Sequence, residues 1–372
     1  MAGEGTRTMI STAASGARWI FTPRCGAGRS MWWGASVGMG GFGGVVFVLG
    51  VVRPATPDGR WGASAPRFPR DGDGVVSMAR ESRYTVEKRQ RCKFAGQKAA
   101  QPHMRMTCRW KNRAMHARDF DFFGSGFIAM AHRGGAQLPE NLGKENTIAA
   151  FSHAMNRGIT HLETDIQVTR DGHLVTMHDP VLARVTDDDH GVVAMLTLVE
   201  LREATIDGEP IPTLDEVLDT FPDACFNIDM KAPGTVEPLV ATLARHQAWD
   251  RVCVGSFNPR RLAAFRRLVN HPVATAVGPV GVMSSCLTHR PTTHAPLGVV
   301  YQMPWRVKAG PCEIDLVTPS FIRAAHRAGK LVQVWTINDP GQMEQLIEMG
   351  VDGIITDRPD VLLNVMRRRH VV

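Results

Sequence analysis

The chain has 372 residues and a hydrophobic share of 44%, the normal make-up of a globular protein, and enough length for one large domain with an appendage or two modest domains. Its net charge of +7 is unevenly placed, because residues 1–120 carry 20 Lys and Arg against 7 Asp and Glu while the remainder stands at −6. The basic character therefore belongs to a leader, and the rest of the chain is mildly acidic. Seven cysteines, an odd number with no C-x-x-C pair, exclude a disulfide framework and a cysteine zinc site. They point to a reducing compartment, and so to the cytoplasm, with membrane association left open by the leader.

Residues 1–118 lack clear periodicity. Met31–Val52 is free of charge for 22 residues, long enough to span a bilayer as a helix. Seven of those residues are glycine, however, and only the closing VVFVLGVV is densely apolar. A membrane anchor or uncleaved signal and a plain glycine-rich tract are the two readings. Two glycine patterns, G-A-S-V-G at 34–38 and G-M-G-G-F-G at 38–43, imitate a hydrolase elbow and a dinucleotide loop. Neither lies between a predicted strand and helix, so both are read as accidents. Arg53–Arg118 is rich in Arg, Lys, Pro and Gly and is expected to be disordered. The expected division is a basic leader at 1–118 and a folded domain at 119–372.

From Phe127 onward, strand-like and helix-like runs alternate. The strand candidates are residues 127–131, 161–168, 224–230, 251–256, 273–277, 299–303, 331–337 and 353–356. Helical runs lie between most of them, at Val236–His246, Pro259–Val269, Ser320–Ala328 and Pro340–Met349. Eight strands alternating with helices predict the α/β class and a (β/α)8 TIM barrel in one domain. A doubly wound sheet is the alternative. Polar and charged residues recur at the strand C-terminal ends, where barrels build their sites, and this favours the barrel.

Chemistry concentrates in Ile128–Asp179. A short apolar run, Ile128–Ala131, is stopped by His132-Arg133-Gly134-Gly135. Asn146-Thr147 then caps an amphipathic helix carrying Ile148, Phe151 and Met155. On the next strand, His161–Val168, Glu163 and Asp165 are two residues apart and project from one face. Two like charges side by side repel, so one stays protonated unless a cation holds both. A hard divalent metal with oxygen ligands, Mg²⁺ or Ca²⁺, answers this, and a solvated strand edge is the plainer reading. His132 ends the first strand, and His178 follows a turn and a return run. One imidazole could take a proton and the other give one, while Arg133 presents a fork suited to phosphate.

Taken in order, His132-Arg133-Gly134, Glu145-Asn146-Thr147, Glu163-Thr164-Asp165 and His178-Asp179-Pro180 resemble the motifs of the glycerophosphodiester phosphodiesterase family. The likeness runs over residues 119–366 and does not reach the leader. It implies a TIM barrel and hydrolysis of glycerophosphodiesters to glycerol 3-phosphate and an alcohol. It also implies a divalent cation (Mg²⁺ or Ca²⁺, with Mn²⁺ a third choice), a small-molecule substrate and no nucleic acid. Attack by the glycerol 2-hydroxyl through a cyclic phosphate, later opened by water, follows from the same resemblance.

Further residues join the site on this view. Asn227, Asp229 and Lys231 share parity on the third strand. Asp229 would complete the metal's oxygen set and Lys231 would face the phosphate, the alternative being an ordinary buried Asp–Lys pair. The family's usual residue at the Asp229 position is Glu, whose carboxylate reaches further. The resemblance puts Glu145 near the metal or the histidines, with Asn146 beside it as a helix cap. Ser256, at the end of strand four, could meet the substrate, and Trp335 could wall the pocket or pack in the core. Asp357 is read as a cap of the last turn. A small insertion after the second strand, near Asp187–Pro212, would roof the site. A lysophospholipase D or phospholipase C-like barrel acting on membrane lipids is the rival enzyme, and nucleic-acid binding by the leader the non-enzymatic rival.

Overall fold

Parity along the strands sets the architecture. Alternate side chains of each strand face a common interior, and the others pack under helices. The computed structural model describes the backbone of residues 19–21, 32–39 and 45–52, and then residues 115–187, 191–288, 297–309 and 312–371. The chain divides into two units, Met1–Gln101 and Pro102–Val372. In the first, Trp19–Phe21, Trp32–Met39 and Val45–Val52 form an antiparallel sheet in sequence order, with Trp32 opposite Val52 and Met39 opposite Val45. Over the described residues, the charge-free run is thus two paired strands instead of a helix. No helix among the described residues is long and apolar enough to cross a membrane. The expectation of disorder falls mainly on 53–114, which lie outside the described residues.

In the second unit, eight parallel strands follow one another around a barrel. They are β1 (Ile128–Ala131), β2 (His161–Val168), β3 (Cys225–Met230), β4 (Val252–Gly255), β5 (Ala274–Thr275), β6 (Val300–Pro304), β7 (Leu331–Trp335) and β8 (Gly353–Thr356). Neighbours pair in sequence order, and β8 returns to β1 through Gly353–Thr356 against Ile128–Ala131. A bridge between Ala276 and Val300 closes the seam between β5 and β6. Gly298 lies at this seam with φ +109°, and a Cβ there would come within 2.5 Å of the Ala276 carbonyl oxygen, so only glycine fits without a backbone shift.

The connecting helices are α1 (Ile148–Asn156), α2 (Leu198–Leu201), α3 (Leu214–Thr220), α4 (Val236–Arg245), α5 (Pro259–Leu268), α6 (Pro279–Thr288), α7 (Pro319–Arg327), α8 (Pro340–Met349) and α9 (Pro359–Arg368). Thr147, not Asn146, caps α1, its hydroxyl accepting from the Ala150 amide at 3.1 Å. Such a cap contributes about 1 kcal/mol. Under α1, Phe151 meets Phe226 and Phe221 edge-on at 6.0 and 6.2 Å, joining the helix layer to β3.

The interior is layered. Ile128, Met130, Cys253, Ala274 and Ile355 fill its lower part, and Phe122 and Phe123 of the entering chain plug the N-terminal end. Above them the Gln302 amide donates to Asn227 at 2.8 Å and to Gln333 at 2.9 Å. The next layer toward the strand C-termini carries Asp165 and Asp229. After β2 the chain pairs back on itself (Leu174–Thr176 against Ile166–Val168) and enters an insertion that contains α2 and the strands Thr205–Ile206 and Glu209–Pro210. The insertion has its own small core of Leu182, Val193, Leu201, Ile206 and Ile211. At the start of the expected Asp187–Pro212 insertion, Asp187 accepts from the Thr205 amide at 2.7 Å, and residues 188–190 lie outside the described residues.

Candidate active site

The inward-facing positions are odd-numbered on β2 and β3 and even-numbered on β1, and the site follows from that. Asp165 on β2 and Asp229 on β3 are direct partners across the sheet, as are Glu163 and Asn227. The side chains of Glu163, Asp165 and Asp229 are buried. The Lys231 ammonium bridges Asp165 Oδ1 at 2.9 Å and Asp229 Oδ2 at 2.8 Å. Arg133 Nε lies 3.2 Å from Asp165 Oδ2, its Nη1 donates to Glu145 Oε1 at 3.0 Å, and its amide donates to Glu163 Oε2 at 3.1 Å. Arg133 holds φ at +53°, a left-handed conformation that costs a non-glycine residue about 1 kcal/mol and is typical of a residue aimed by its site. Asn146, at φ +63°, lies 3.4 Å from Asp165 Oδ2 through its amide nitrogen and accepts from Thr164 Oγ1 at 2.8 Å. Its side chain serves the site, while its neighbour Thr147 caps the helix.

These contacts explain the charge states. Burial and the Asp165 charge push the Glu163 carboxyl up to about 7 against the pull of His132, Lys231 and Arg133. Burial also raises Asp165, but Lys231 and Arg133 outweigh it and hold that carboxyl below the usual range. Burial raises Asp229 despite Lys231. Burial lowers Lys231, yet Asp229 and Asp165 leave it above the ordinary lysine value.

Each expected catalytic histidine has a carboxylate of its own. His132 Nδ1 lies 2.6 Å from Asp357 Oδ1, and its Nε2 lies 3.8 Å from Glu163 Oε2. His178 Nδ1 lies 2.5 Å from Asp179 Oδ1, and Gln167 donates to the His178 carbonyl at 2.8 Å. Burial raises Asp357, but the hydrogen bond and charge of His132 outweigh it; in Asp179 the bonds from Arg184 and His178 do the same, so both carboxyls sit low. Ionised carboxylates accept only. Each Nδ1 is therefore the donor, and each Nε2 is left for the substrate.

Asp357 is a correction to the sequence reading. The side chain does not cap α9, whose N-cap is Arg358 with no side-chain cap bond. It holds His132 instead, and Asn338 steadies it by donating to Oδ2 at 2.8 Å. The signal was present: Asp357 continues the inward parity of Gly353 and Ile355. Asp179 and Arg184 were also passed over. Arg184 bonds Asp179 through Nε and Glu145 through both terminal nitrogens, at 3.0 and 2.6 Å. A pairing between the insertion and the barrel carries no local sequence signal.

Ser256 and Trp335 sit differently from the charged set. The Ser256 hydroxyl donates to the Met230 carbonyl at 2.8 Å and accepts from the Asn258 amide at 3.2 Å, so it braces the loop between β4 and α5. The Trp335 ring meets Phe257 edge-on at 5.9 Å, and Lys231 Nζ lies 5.3 Å over the Phe257 ring. Phe257 is 58% exposed, which gives the cationic site an apolar shelf.

Among the described residues, no three His, Cys, Asp or Glu side chains are gathered closely enough to hold a metal as they stand. The donor set nonetheless fits a hard cation. It is all carboxylate oxygen, and Asp229 Oδ1 is buried with no hydrogen-bond partner.

With this geometry in hand, comparison with known proteins is informative. Residues 132–361 match the model of the glycerophosphoryl diester phosphodiesterase family. The chain is 38% identical over 254 residues to Probable glycerophosphodiester phosphodiesterase 2 of Mycobacterium tuberculosis, covering 66% of this chain and 92% of that protein. It is 32% identical over 260 residues to a glycerophosphodiester phosphodiesterase of Caldanaerobacter subterraneus, covering 65% and 98%. An Oleispira antarctica phosphodiesterase, solved in complex with the product sn-glycerol-3-phosphate, shares the fold with TM-score 0.53 at 22% identity, over 65% of this chain and 97% of that one. The matched segment starts at His132 and runs past Asp357, the two ends of one hydrogen bond, and the chain belongs to the glycerophosphoryl diester phosphodiesterase family of phosphoric diester hydrolases.

Proposed function

We propose that this enzyme hydrolyses glycerophosphodiesters to glycerol 3-phosphate and an alcohol by two-histidine acid–base chemistry beside a divalent cation, Mg²⁺ or Ca²⁺, with Mn²⁺ an alternative. The observation that carries the reading is the pair of imidazoles, each tied at Nδ1 to its own carboxylate, beside a buried carboxylate set. Glu163, Asp165 and Asp229 would hold the cation, which when bound polarises the phosphoryl group and acidifies a hydroxyl.

This chain's own groups do the rest. Arg133 and Lys231 supply positive charge to the phosphate oxygens, and Phe257 with Trp335 offers an apolar surface to the carbon chain. One imidazole Nε2 takes the proton of the glycerol 2-hydroxyl as that oxygen bonds to phosphorus. The bond from phosphorus to the alcohol breaks, and the other Nε2 gives the departing oxygen its proton. Water then opens the cyclic phosphate with the two roles exchanged, leaving both imidazoles as they began. His132→Ala and His178→Ala should each lower kcat on glycerophosphocholine on the order of 10²–10⁴-fold with the fold retained by circular dichroism. Turnover near wild type in both variants would refute the assignment.

The exposed Phe257, together with exposed Val181, Val192, Met195 and Val199 on the insertion, favours a second reading in which a lysophospholipid is the substrate. Assaying lysophosphatidylcholine beside glycerophosphocholine decides between them.

A further inference from the structure

Two of the arginines that tie the insertion to the barrel do different things. Arg170, just after β2, donates to the Met195 carbonyl at 2.9 Å and to both Glu200 oxygens at 3.2 and 2.9 Å, an exposed anchor that touches no catalytic group. Arg184 runs the other way, from the insertion back to the site. Its Nε meets Asp179 Oδ2, and Asp179 Oδ1 holds His178 Nδ1 at 2.5 Å. Its terminal nitrogens grip both oxygens of Glu145, and Glu145 Oε1 also accepts from Arg133 at 3.0 Å. Arg133 in turn lies 3.2 Å from Asp165. One guanidinium therefore closes an unbroken chain of ion pairs from His178 to Asp165. A planar fork is needed, since a lysine has one nitrogen to share between two carboxylates.

We propose that Arg184 is a positioning residue: by holding Asp179 and Glu145 together, it sets the orientation of the His178 imidazole and leaves Arg133 directed at the substrate phosphate. Without Arg184, Asp179 is free to rotate away from Nδ1, and Glu145 keeps only Arg133 as a partner. Arg133 is then drawn toward a carboxylate that it no longer shares with a competing cation. The insertion thus acts on the chemistry through Arg184.

The proposal rests on the phosphodiesterase reading, and the test separates the two. The full chain, Arg184→Ala, Arg184→Lys and Arg170→Ala are assayed for kcat and KM on glycerophosphocholine, with near-UV circular dichroism confirming the fold of each. Arg184→Ala should lose kcat on the order of 10–100-fold, the range expected when an outer group that orients a functional histidine through its carboxylate is removed, with KM changing much less. Arg184→Lys, which keeps the charge and one contact, should recover part of that loss, and Arg170→Ala should stay within about twofold of wild type by the weak contribution of an exposed pair. Wild-type kcat in Arg184→Ala, or an equal fall in Arg170→Ala, overturns the positioning role while wild-type turnover keeps the functional reading. A wild-type enzyme that leaves glycerophosphodiesters intact overturns both.

Discussion

At the level of single residues, the site depends on which groups share one protonation state. Glu163 at about 7 beside a depressed Asp165 is an uneven pair, created by burial and mutual repulsion. The two carboxylates were readable from their spacing on one strand, as were His132, His178 and Arg133 at strand ends. Their partners were not. Asp179 is adjacent to His178 and Asp357 is 225 residues from His132, yet the two carboxylates do the same work at 2.5 and 2.6 Å. Parity put Asp357 on the inward face, but neither bond is shown by local sequence, because each depends on a side-chain rotamer or on barrel closure. Asp357→Asn keeps the volume but presents an amide that can donate to Nδ1, and so offers His132 the wrong tautomer. Its kcat on glycerophosphocholine should fall on the order of 10²–10⁴-fold with KM little changed. Unchanged turnover would return Asp357 to a purely structural role.

Elements were the most legible scale where hydrophobic spacing was strong. Residues 161–168, 353–356 and 340–349 fall where periodicity put them, and most other boundaries move by one or two residues. The hairpin Arg306–Ala309 with Cys312–Asp315 and the helix α6 were not anticipated. The hairpin buries little of its second strand and so lacks an apolar face to read. At the foot of β7, burial and Arg266 bring the Lys330 ammonium down to about 8, where it donates to the Gly298 carbonyl beside the seam. A lysine in the unfolded chain titrates near 10.4, as a rough reference. Between those values the unfolded chain binds more protons than the folded one. The cost of the charge is therefore fully present below pH ~8 and relieved as pH rises toward ~10.4. Lys330→Met should accordingly gain stability relative to wild type on going from pH ~10.5 to pH ~7, read from urea midpoints. A gap that is the same at both pH values would contradict the linkage.

Across the barrel, the charged groups of the site gather toward the strand C-terminal ends above an apolar floor, with Glu163 level with the Gln–Asn layer and Asp165 and Asp229 above it. Alternation of strand and helix left a doubly wound sheet as an alternative, and the polar residues recurring at strand C-terminal ends pointed to the barrel. The leader was a different case. Its charge-free tract satisfied a length rule for membrane helices, but its glycines weaken a helix and its valines and aromatic residues favour a strand, and its described residues pair as strands. The central claim concerns the carboxylates that β2 and β3 bring together, where Lys231 spans two of them and Asp229 Oδ1 has no partner. Hydrolysis of glycerophosphocholine by the full chain, stripped with chelator and checked for residual metal, tests it most directly. The account predicts loss of turnover and its return with Mg²⁺, Ca²⁺ or Mn²⁺; undiminished turnover by the metal-free protein would contradict it.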